Sequence, residues 1–292
     1  MTPEPIAYLN GHFLPAEEAV LPMTDAGFVW GATVTDRLRT FRQKLFRLDD
    51  HLKRFRNICE LACIPQPRTD GELAAIAHEL VEANRKFLPT DSELSLVIFA
   101  TPGSEPGQPT LGMEAVPLPF DRYRYLFEHG AVLHPSSCAL PSAVLDPRIK
   151  HRSRLPWWIA KEQSLPGSEP LFTTVEPDRF VRETTIANFL AVIDGILVSP
   201  PRDTILNGIS LLVVEELAHA LGIPFCEREV PLAEVLDRAD ECLLSNTSYC
   251  LASVSRIDER PKPLHGPIFT RLIQAWSDLT SVDIRRQFLT NP

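Results

Sequence analysis

Lysine is scarce in this chain of 292 residues: Lys44, Lys53, Lys86, Lys150, Lys161 and Lys262 are the whole set. Any chemistry that needs a lysine amine is confined to those positions. Positive charge is also short. The formal net charge is −9, which argues against a nucleic-acid or anionic-membrane partner, because both need basic patches. Met1 to Pro15 has no basic segment followed by an apolar run, so no secretory signal is expected. The longest apolar stretches, such as Leu94 to Ala100, are far too short to cross a bilayer. Cys59, Cys63, Cys138, Cys226, Cys242 and Cys250 form no C-x-x-C pair, and no histidine stands beside them at ligand spacing. No metal is expected, and reduced thiols in a cytoplasmic protein are the natural reading. Internal repeats, low-complexity segments and like-charged tails are absent.

What the chain does have is an ordinary globular composition, 44% hydrophobic and 23% charged, at a length that suggests two domains. A strand, an Asn10-Gly11 turn and a second strand are expected over Tyr8 to Phe13. Thr33 to Phe41 alternates as a strand, with Val34 and Leu38 on one face and Thr33, Thr35, Arg37 and Arg39 on the other. Asp49 offers an N-cap to a helix reaching about Cys63, with Leu52, Phe55, Ile58, Cys59 and Ala62 as its apolar face. A helix over 71–87 and a strand over 94–100 follow. The segment 117–124, P-L-P-F-D-R-Y-R, lacks periodicity and reads as a linker between a small N-terminal α/β domain, 1–119, and a larger domain, 125–292. Beyond it come a strand near 131–134, a loop carrying Lys150 and a helix over 156–163. A hairpin spans 188–198, turning at Asp194-Gly195. An amphipathic helix covers 208–221, strands lie near 242–245 and 252–257, and a helix covers 268–279. The fold class is mixed α/β.

Singly, the polar candidates are plain: Lys150 in a loop, Glu183 ahead of a hairpin and Arg54 on a helix all have a solvated surface as their default. Their order and spacing carry more. G-A-T-V-T-D-R-L-R-T-F, from Gly31, resembles the G-D-G-x-F-E-x-x-R segment of class IV aminotransferases. R-L-D-D-H-L-K-R-F, from Arg47, resembles that family's R-L-x-x-H-x-x-R-L. Glu183 opens E-T-T-I-A-N-F-L, similar to E-x-x-x-x-N-x-F. T-I-L-N-G-I-S, from Thr204, resembles S-I-L-x-G-I-T-R, and L-L-S-N-T-S, from Leu243, resembles F-x-T-G-T-A.

The resemblance spans about residues 6 to 275 and implies a two-domain, fold type IV enzyme that holds pyridoxal 5'-phosphate and works as a homodimer. It implies that Lys150 binds the cofactor as a Schiff base and then, as a neutral amine, moves the substrate's Cα proton. Glu183 would keep the pyridine nitrogen protonated. The phosphate would lie on the amides of Ile209 and Ser210, at a helix start that Gly208 leaves open, with Thr247, Ser248 and Arg54 completing its ligands. Ile209 also reads simply as the first core residue of its helix. Thr35, Arg37 and Arg39 would line the substrate side, where two guanidinium groups suit a carboxylate; the alternative is a solvated polar strand face.

The chain departs from the branched-chain pattern at three places. Leu155 stands where those enzymes carry tyrosine, Thr184 replaces the glycine after the cofactor glutamate, and Leu211 replaces the arginine after G-I-T. K-H-x-x-R-L, Lys150 to Leu155, instead resembles 4-amino-4-deoxychorismate lyase. The paired basic residues of D-amino-acid aminotransferases are not evident, since F-A-T-P-G puts Pro102 where their arginine would fall. The expected reaction is transfer of an amino group between an amino acid, branched-chain or similar, and a 2-oxo acid, by a ping-pong route through a pyridoxamine form. A lyase releasing pyruvate and a non-catalytic cofactor-binding protein are the alternatives.

Overall fold

The computed structural model describes residues 4–89, 92–136, 145–175 and 177–291. Cys138 lies outside them; Cys59, Cys63, Cys226, Cys242 and Cys250 are free thiols. The chain divides into two units, Met1–Leu118 with Ile149–Ser153, and Pro119–Arg148 with Arg154–Pro292.

Unit 1 contains β1 (Ile6–Leu9), β2 (His12–Pro15), α1 (Ala26–Val29), β3 (Val34–Phe41), β4 (Lys44–Leu45), α2 (Leu48–Leu61), α3 (Asp70–Arg85), β5 (Leu94–Thr101) and β6 (Thr110–Pro117). Asn10 and Gly11, both at positive φ, make the expected hairpin turn between β1 and β2. Among the described residues the strands form one sheet in the order β2-β1-β6-β5-β3-β4. Leu52, Phe55, Ile58 and Cys59 of α2 are buried, as the periodicity predicts, together with Leu38 of β3 and Leu73 of α3. Asp49 is not the N-cap. Arg47 holds that place in the left-handed region with no side-chain cap, and Asp49 and Asp50 sit in the first turn, where the helix dipole favours them. The Arg42-Gln43 turn after β3 is held by Glu93, a buried carboxylate that accepts from both turn amides and from the Thr40 hydroxyl.

The division between the units, Leu118 to Pro119, falls inside segment 117–124, but most of that segment has regular structure. β6 runs to Pro117 and α4 (Phe120–His129) begins three residues later. Its apolar residues Phe120, Tyr123, Leu126 and Phe127 are buried at helical spacing, a period that a window closing at Arg124 cannot display. Pro119 is the N-cap, a position where a missing N–H costs nothing.

Unit 2 continues with β7 (Ala131–Pro135), α5 (Leu155–Gln163), β8 (Glu169–Thr173), β9 (Val181–Thr184), β10 (Asn188–Ile193), β11 (Ile196–Ser199), α6 (Ile209–Ala220), β12 (Phe225–Glu227), α7 (Leu232–Arg238), β13 (Glu241–Asn246), β14 (Cys250–Ile257), β15 (Arg260–Pro261), α8 (Pro267–Thr280) and α9 (Ile284–Thr290). Its described strands run β12-β11-β10-β13-β14-β7-β8-β9, with β15 on β14. β9 also pairs with β10 through Asn188↔Glu183, so part of this sheet closes on itself. α6 is more buried than an amphipathic helix requires: Leu211, Val214 and Ala218 are covered as well as Ile209, Val213 and Leu217, while Leu221 is the half-buried C-cap. Lys262 donates to the carbonyls of Val235, Leu236 and Ala239 at 2.8, 3.1 and 3.0 Å, satisfying the end of α7. No helix among the described residues is long and apolar enough to cross a membrane, and no group of three or more His, Cys, Asp or Glu among them could hold a metal ion.

Candidate active site

In unit 1 the site begins with a segment that the sequence gives no reason to call a strand. Residues 149–153 lie antiparallel to β3: Val34 bridges His151, Thr35 N donates to Lys150 O at 2.9 Å, and Arg152 N donates to Thr33 O at 2.9 Å. Lys150 is thereby tied through its main chain to the strand that carries Thr35 and Arg37. The Thr35 hydroxyl donates to Ile98 O at 2.9 Å, and Arg37 Nη1 donates to Ser95 Oγ at 3.1 Å. Arg39 behaves differently. It is 1% exposed, its Nε donates to Thr40 O, and its guanidinium carbon lies 4.1 Å from the centre of the Phe41 ring. The reading of these three as a solvated strand face therefore does not hold, because Arg39 is a buried fixture and the other two are half-covered.

Arg54 is buried, and its partner is a residue that the sequence reading passed over. Arg54 Nε and Nη2 donate to the two oxygens of Asp36 at 2.8 and 2.7 Å, the fork geometry that fixes a guanidinium most firmly. His51 Nδ1 lies 2.8 Å from Asp36 Oδ1, and the main-chain amide of Arg37 reaches the same oxygen at 2.6 Å. Asp36 has no exposed surface. Burial alone would push its carboxyl up, but Arg54 and His51, through charge and hydrogen bonds, hold it well below the usual carboxylate range. Burial pushes His51 down; Asp36 opposes that, while Arg54 and Lys150 add to it. His51 Nδ1–H donates to Asp36, since an ionised carboxylate can only accept. A signal was present in the sequence. Asp36 stands between Val34 and Leu38 on the apolar face of its strand, and a charge there needs a partner. His51 and Arg54, three apart on one helix face, supply it.

In unit 2 the candidates meet at one end of the sheet, around Asn188. Asn188 pairs with Glu183 across β9–β10 and with Ser245 across β10–β13. Its Nδ2 donates to Glu183 Oε2 at 3.3 Å and to Leu206 O at 2.8 Å, and Leu206 N donates to the same Glu183 oxygen at 3.2 Å. A Cβ on Gly208 would come within 2.1 Å of Asn188 Oδ1, so glycine is required for this approach. Gly208 N-caps α6 with no side-chain hydrogen bond, although Ile209 and Ser210 are buried. Side chains satisfy the starts of α3, by the Thr69–Glu72 box, of α9, by Asp283, and of α8, by Glu241, which accepts from Ile268 N and Phe269 N; α2, α4, α5 and α7, like α6, have no side-chain cap. A buried, uncapped twelve-residue helix start is a place for an anion from outside the chain.

The turn between β13 and β14 follows Ser245. Ser248 is buried, with its amide donating to Asn246 Oδ1 at 2.7 Å, and Thr247 is half-buried. Asn246 donates to Ile186 O, which ties this turn to the segment between Glu183 and Asn188. Arg154 donates to Thr185 O and lies 5.0 Å above the Trp157 ring. Burial pushes its guanidinium below the ordinary value while Glu183 opposes the shift, so the Glu183 carboxylate already feels a cation. Asn188 was visible only as a spaced match, and nothing in its residue type announced that it organises the site. Cys59 and Cys242 are buried, and burial pushes their thiols up to about 12, which disfavours the reactive thiolate.

The structure thus places the Lys150 main chain against β3, Glu183 on Asn188, and the buried residues Ile209 and Ser210 at the start of α6. The family model for Amino-transferase class IV matches residues 33–257. The chain belongs to the class IV aminotransferases.

Members of this family use pyridoxal phosphate. A Methanocaldococcus jannaschii protein provisionally named branched-chain-amino-acid aminotransferase is 30% identical over 262 residues, covering 87% of this chain and 88% of that one. The D-alanine aminotransferase of Staphylococcus aureus is 27% identical over 274 residues, covering 87% and 89%. Two crystal structures show the same class IV fold. The Escherichia coli branched-chain enzyme has a TM-score of 0.86 at 21% identity, covering 95% of both chains. The branched-chain enzyme of Thermoproteus uzoniensis, crystallised with norvaline, has a TM-score of 0.83 at 24% identity, covering 97% of this chain and 94% of that one. The mixed α/β architecture expected from the sequence is this aminotransferase fold.

Proposed function

We propose that this chain transfers amino groups between an amino acid and a 2-oxo acid, using pyridoxal phosphate held by Lys150, Glu183, Arg54, Ile209, Ser210, Thr247 and Ser248. The observation that carries the reading is the Asn188 assembly, which gathers Glu183, the uncapped α6 start and the 246–248 turn at one sheet end. Pyridoxal phosphate, when bound, supplies an aldehyde for the amino group and a ring that takes up the electron pair left when Cα loses its proton.

The chain's residues do the rest. The amides of Ile209 and Ser210 and the hydroxyls of Ser210, Thr247 and Ser248 cradle the phosphate, and Arg54 supplies positive charge already oriented by Asp36. Glu183 accepts the ring N–H and so favours its protonated form. Asn188 and the Leu206 amide donate to that carboxylate and keep it aimed. Lys150 Nζ takes the Cα proton and returns it. Thr35 and Arg37 face the substrate. A second copy of the chain would cover the apolar residues Met23, Phe28 and Trp30, which are 81, 71 and 82% exposed.

Purified enzyme given an amino acid and a 2-oxo acid should exchange the amino group stoichiometrically, and light scattering should give twice the chain mass. Release of pyruvate and 4-aminobenzoate from aminodeoxychorismate without any acceptor would replace transamination by elimination. Gly208→Ala tests the assembly. It should displace Asn188, loosen Glu183 and weaken pyridoxal phosphate binding about 10- to 100-fold in a fluorescence titration. Unchanged affinity would detach Asn188 from the site.

A further inference from the structure

Four residues separate Glu183 from Asn188, and the turn they form is gripped from outside by side chains of three distant segments. Thr184 N donates to Ala187 O at 2.9 Å, which closes the turn, and the Thr184 hydroxyl accepts from Ala187 N at 3.1 Å. The carbonyls of the two middle residues point outward, and each takes a side-chain donor. Arg154 donates to Thr185 O and Asn246 to Ile186 O. Thr185 is held a second time through its hydroxyl, which donates to Glu169 Oε2 at 2.9 Å. The other Glu169 oxygen accepts from Lys161 Nζ at 2.6 Å.

Two of these anchors belong to one helix. Arg154 is the N-cap of α5, and Lys161 stands in its last turn. Leu155, the next residue after Arg154, turns outward and is 67% exposed. Arg154 turns the other way, with its guanidinium carbon 5.0 Å from the centre of the Trp157 ring, a face that suits a flat cation. The Lys161 charge is matched by Glu169. The Arg154 charge is felt at Glu183, which opposes the downward push of burial on the guanidinium. Around Arg154 the charged groups are thus Glu183 on β9 and, behind Thr185, Glu169 on β8 with Lys161. Asn188 and the Leu206 amide, which also meet Glu183, carry no charge.

We propose that Arg154 is a positioning residue, which clamps the 184–187 turn through Thr185 O and fixes a positive charge beside Glu183. Holding the turn keeps the Glu183 and Asn188 side chains together, since one stands at each end of it. The charge acts on what Glu183 receives. A fixed cation opposes any further positive charge close by, so it lowers the proton affinity of the nitrogen atoms of a bound heterocycle. That this heterocycle is pyridoxal phosphate joined to Lys150 rests on the function proposed above; the clamp on the turn does not.

Two measurements on the full chain test the two parts. Hydrogen exchange read by mass spectrometry, with and without added pyridoxal phosphate, should quicken about 10-fold over the peptide 184–188 in Arg154→Gln. Exchange equal to that of the wild type overturns the clamp. In the loaded enzyme the visible band changes with pH as the Schiff base to Lys150 loses its proton. Its midpoint should rise by about one pH unit in Arg154→Gln, because no neighbouring cation then opposes the protonated form. Arg154→Lys restores the charge without the planar fork, and should return the midpoint to within about 0.3 of the wild type. A midpoint that stays or falls in Arg154→Gln, or rises equally in both variants, overturns the electrostatic role and with it the proposal. Should the wild type form no visible band while exchange still depends on Arg154, the cofactor reading falls and the clamp stands.

Discussion

Lys150→Ala should produce a folded protein without the visible absorption of covalently held cofactor, with turnover lower by about four orders of magnitude or more. Folding should survive because the bonds that tie this segment to β3 are made by main-chain atoms of Lys150, Arg152, Thr33 and Thr35. Activity should not survive if the side chain has the two roles proposed for it, covalent anchor and carrier of the proton. Two controls separate these roles from a structural one. Circular dichroism and melting should match the wild type, and added methylamine should restore part of the turnover by standing in for the missing amine. A variant that stays yellow and turns over at the wild-type rate would contradict the assignment.

Asp36→Asn should be the most damaging single change to stability in unit 1. It leaves the Arg54 guanidinium buried without its counter-ion and leaves one amide oxygen to serve the donors of Arg54, His51 and the Arg37 amide. Breaking a buried pair from one side costs about 3–5 kcal/mol, or a fall of roughly 10 °C in Tm for a chain of this size. Acid should erode the difference. Asp36 has its carboxyl depressed in the folded state, so its contribution is fully present above the unfolded value near 4, and is lost as pH falls below that toward the folded value. His51 acts in the same direction over a higher range. Burial lowers it in the folded protein, so unfolded chains gain a proton first as pH drops below about 6.5, and stability declines from there. The gap between wild type and Asp36→Asn should therefore hold above about pH 5 and narrow below about 4 in urea titrations. A gap independent of pH down to about 3 would remove Asp36 from the account.

Much of this was legible in the sequence because it rests on local rules. The Asn10-Gly11 and Asp194-Gly195 turns, the buried face of α2 and the start of α6 at Gly208 follow from period and turn chemistry, and each appears at its expected place. The order of short matches from Gly31 to Ser248 identified the family. Other features depend on contacts between distant segments. The 149–153 segment joins β3 only by a cross-chain ladder, and no periodicity in five residues reveals that. Asn188 takes its role from Leu206 and Gly208, which lie 18 and 20 positions further along the chain. In segment 117–124 the start of α4 is hidden for another reason, since the prolines sit where a strand ends and a helix begins, and they disguise both. Arg39 looked equivalent to Arg37 by alternation, yet Phe41 and the Thr40 carbonyl draw it inside.

Which nitrogen holds the cofactor is directly measurable, because the chain has so few lysines. Reducing the loaded enzyme with borohydride and mapping its peptides by mass spectrometry should place the pyridoxyl mass on the peptide containing Lys150. Lys44, Lys53, Lys86, Lys161 and Lys262 should remain unmodified. A tag on any of those five, or no tag on a protein that transfers amino groups, would contradict the central claim.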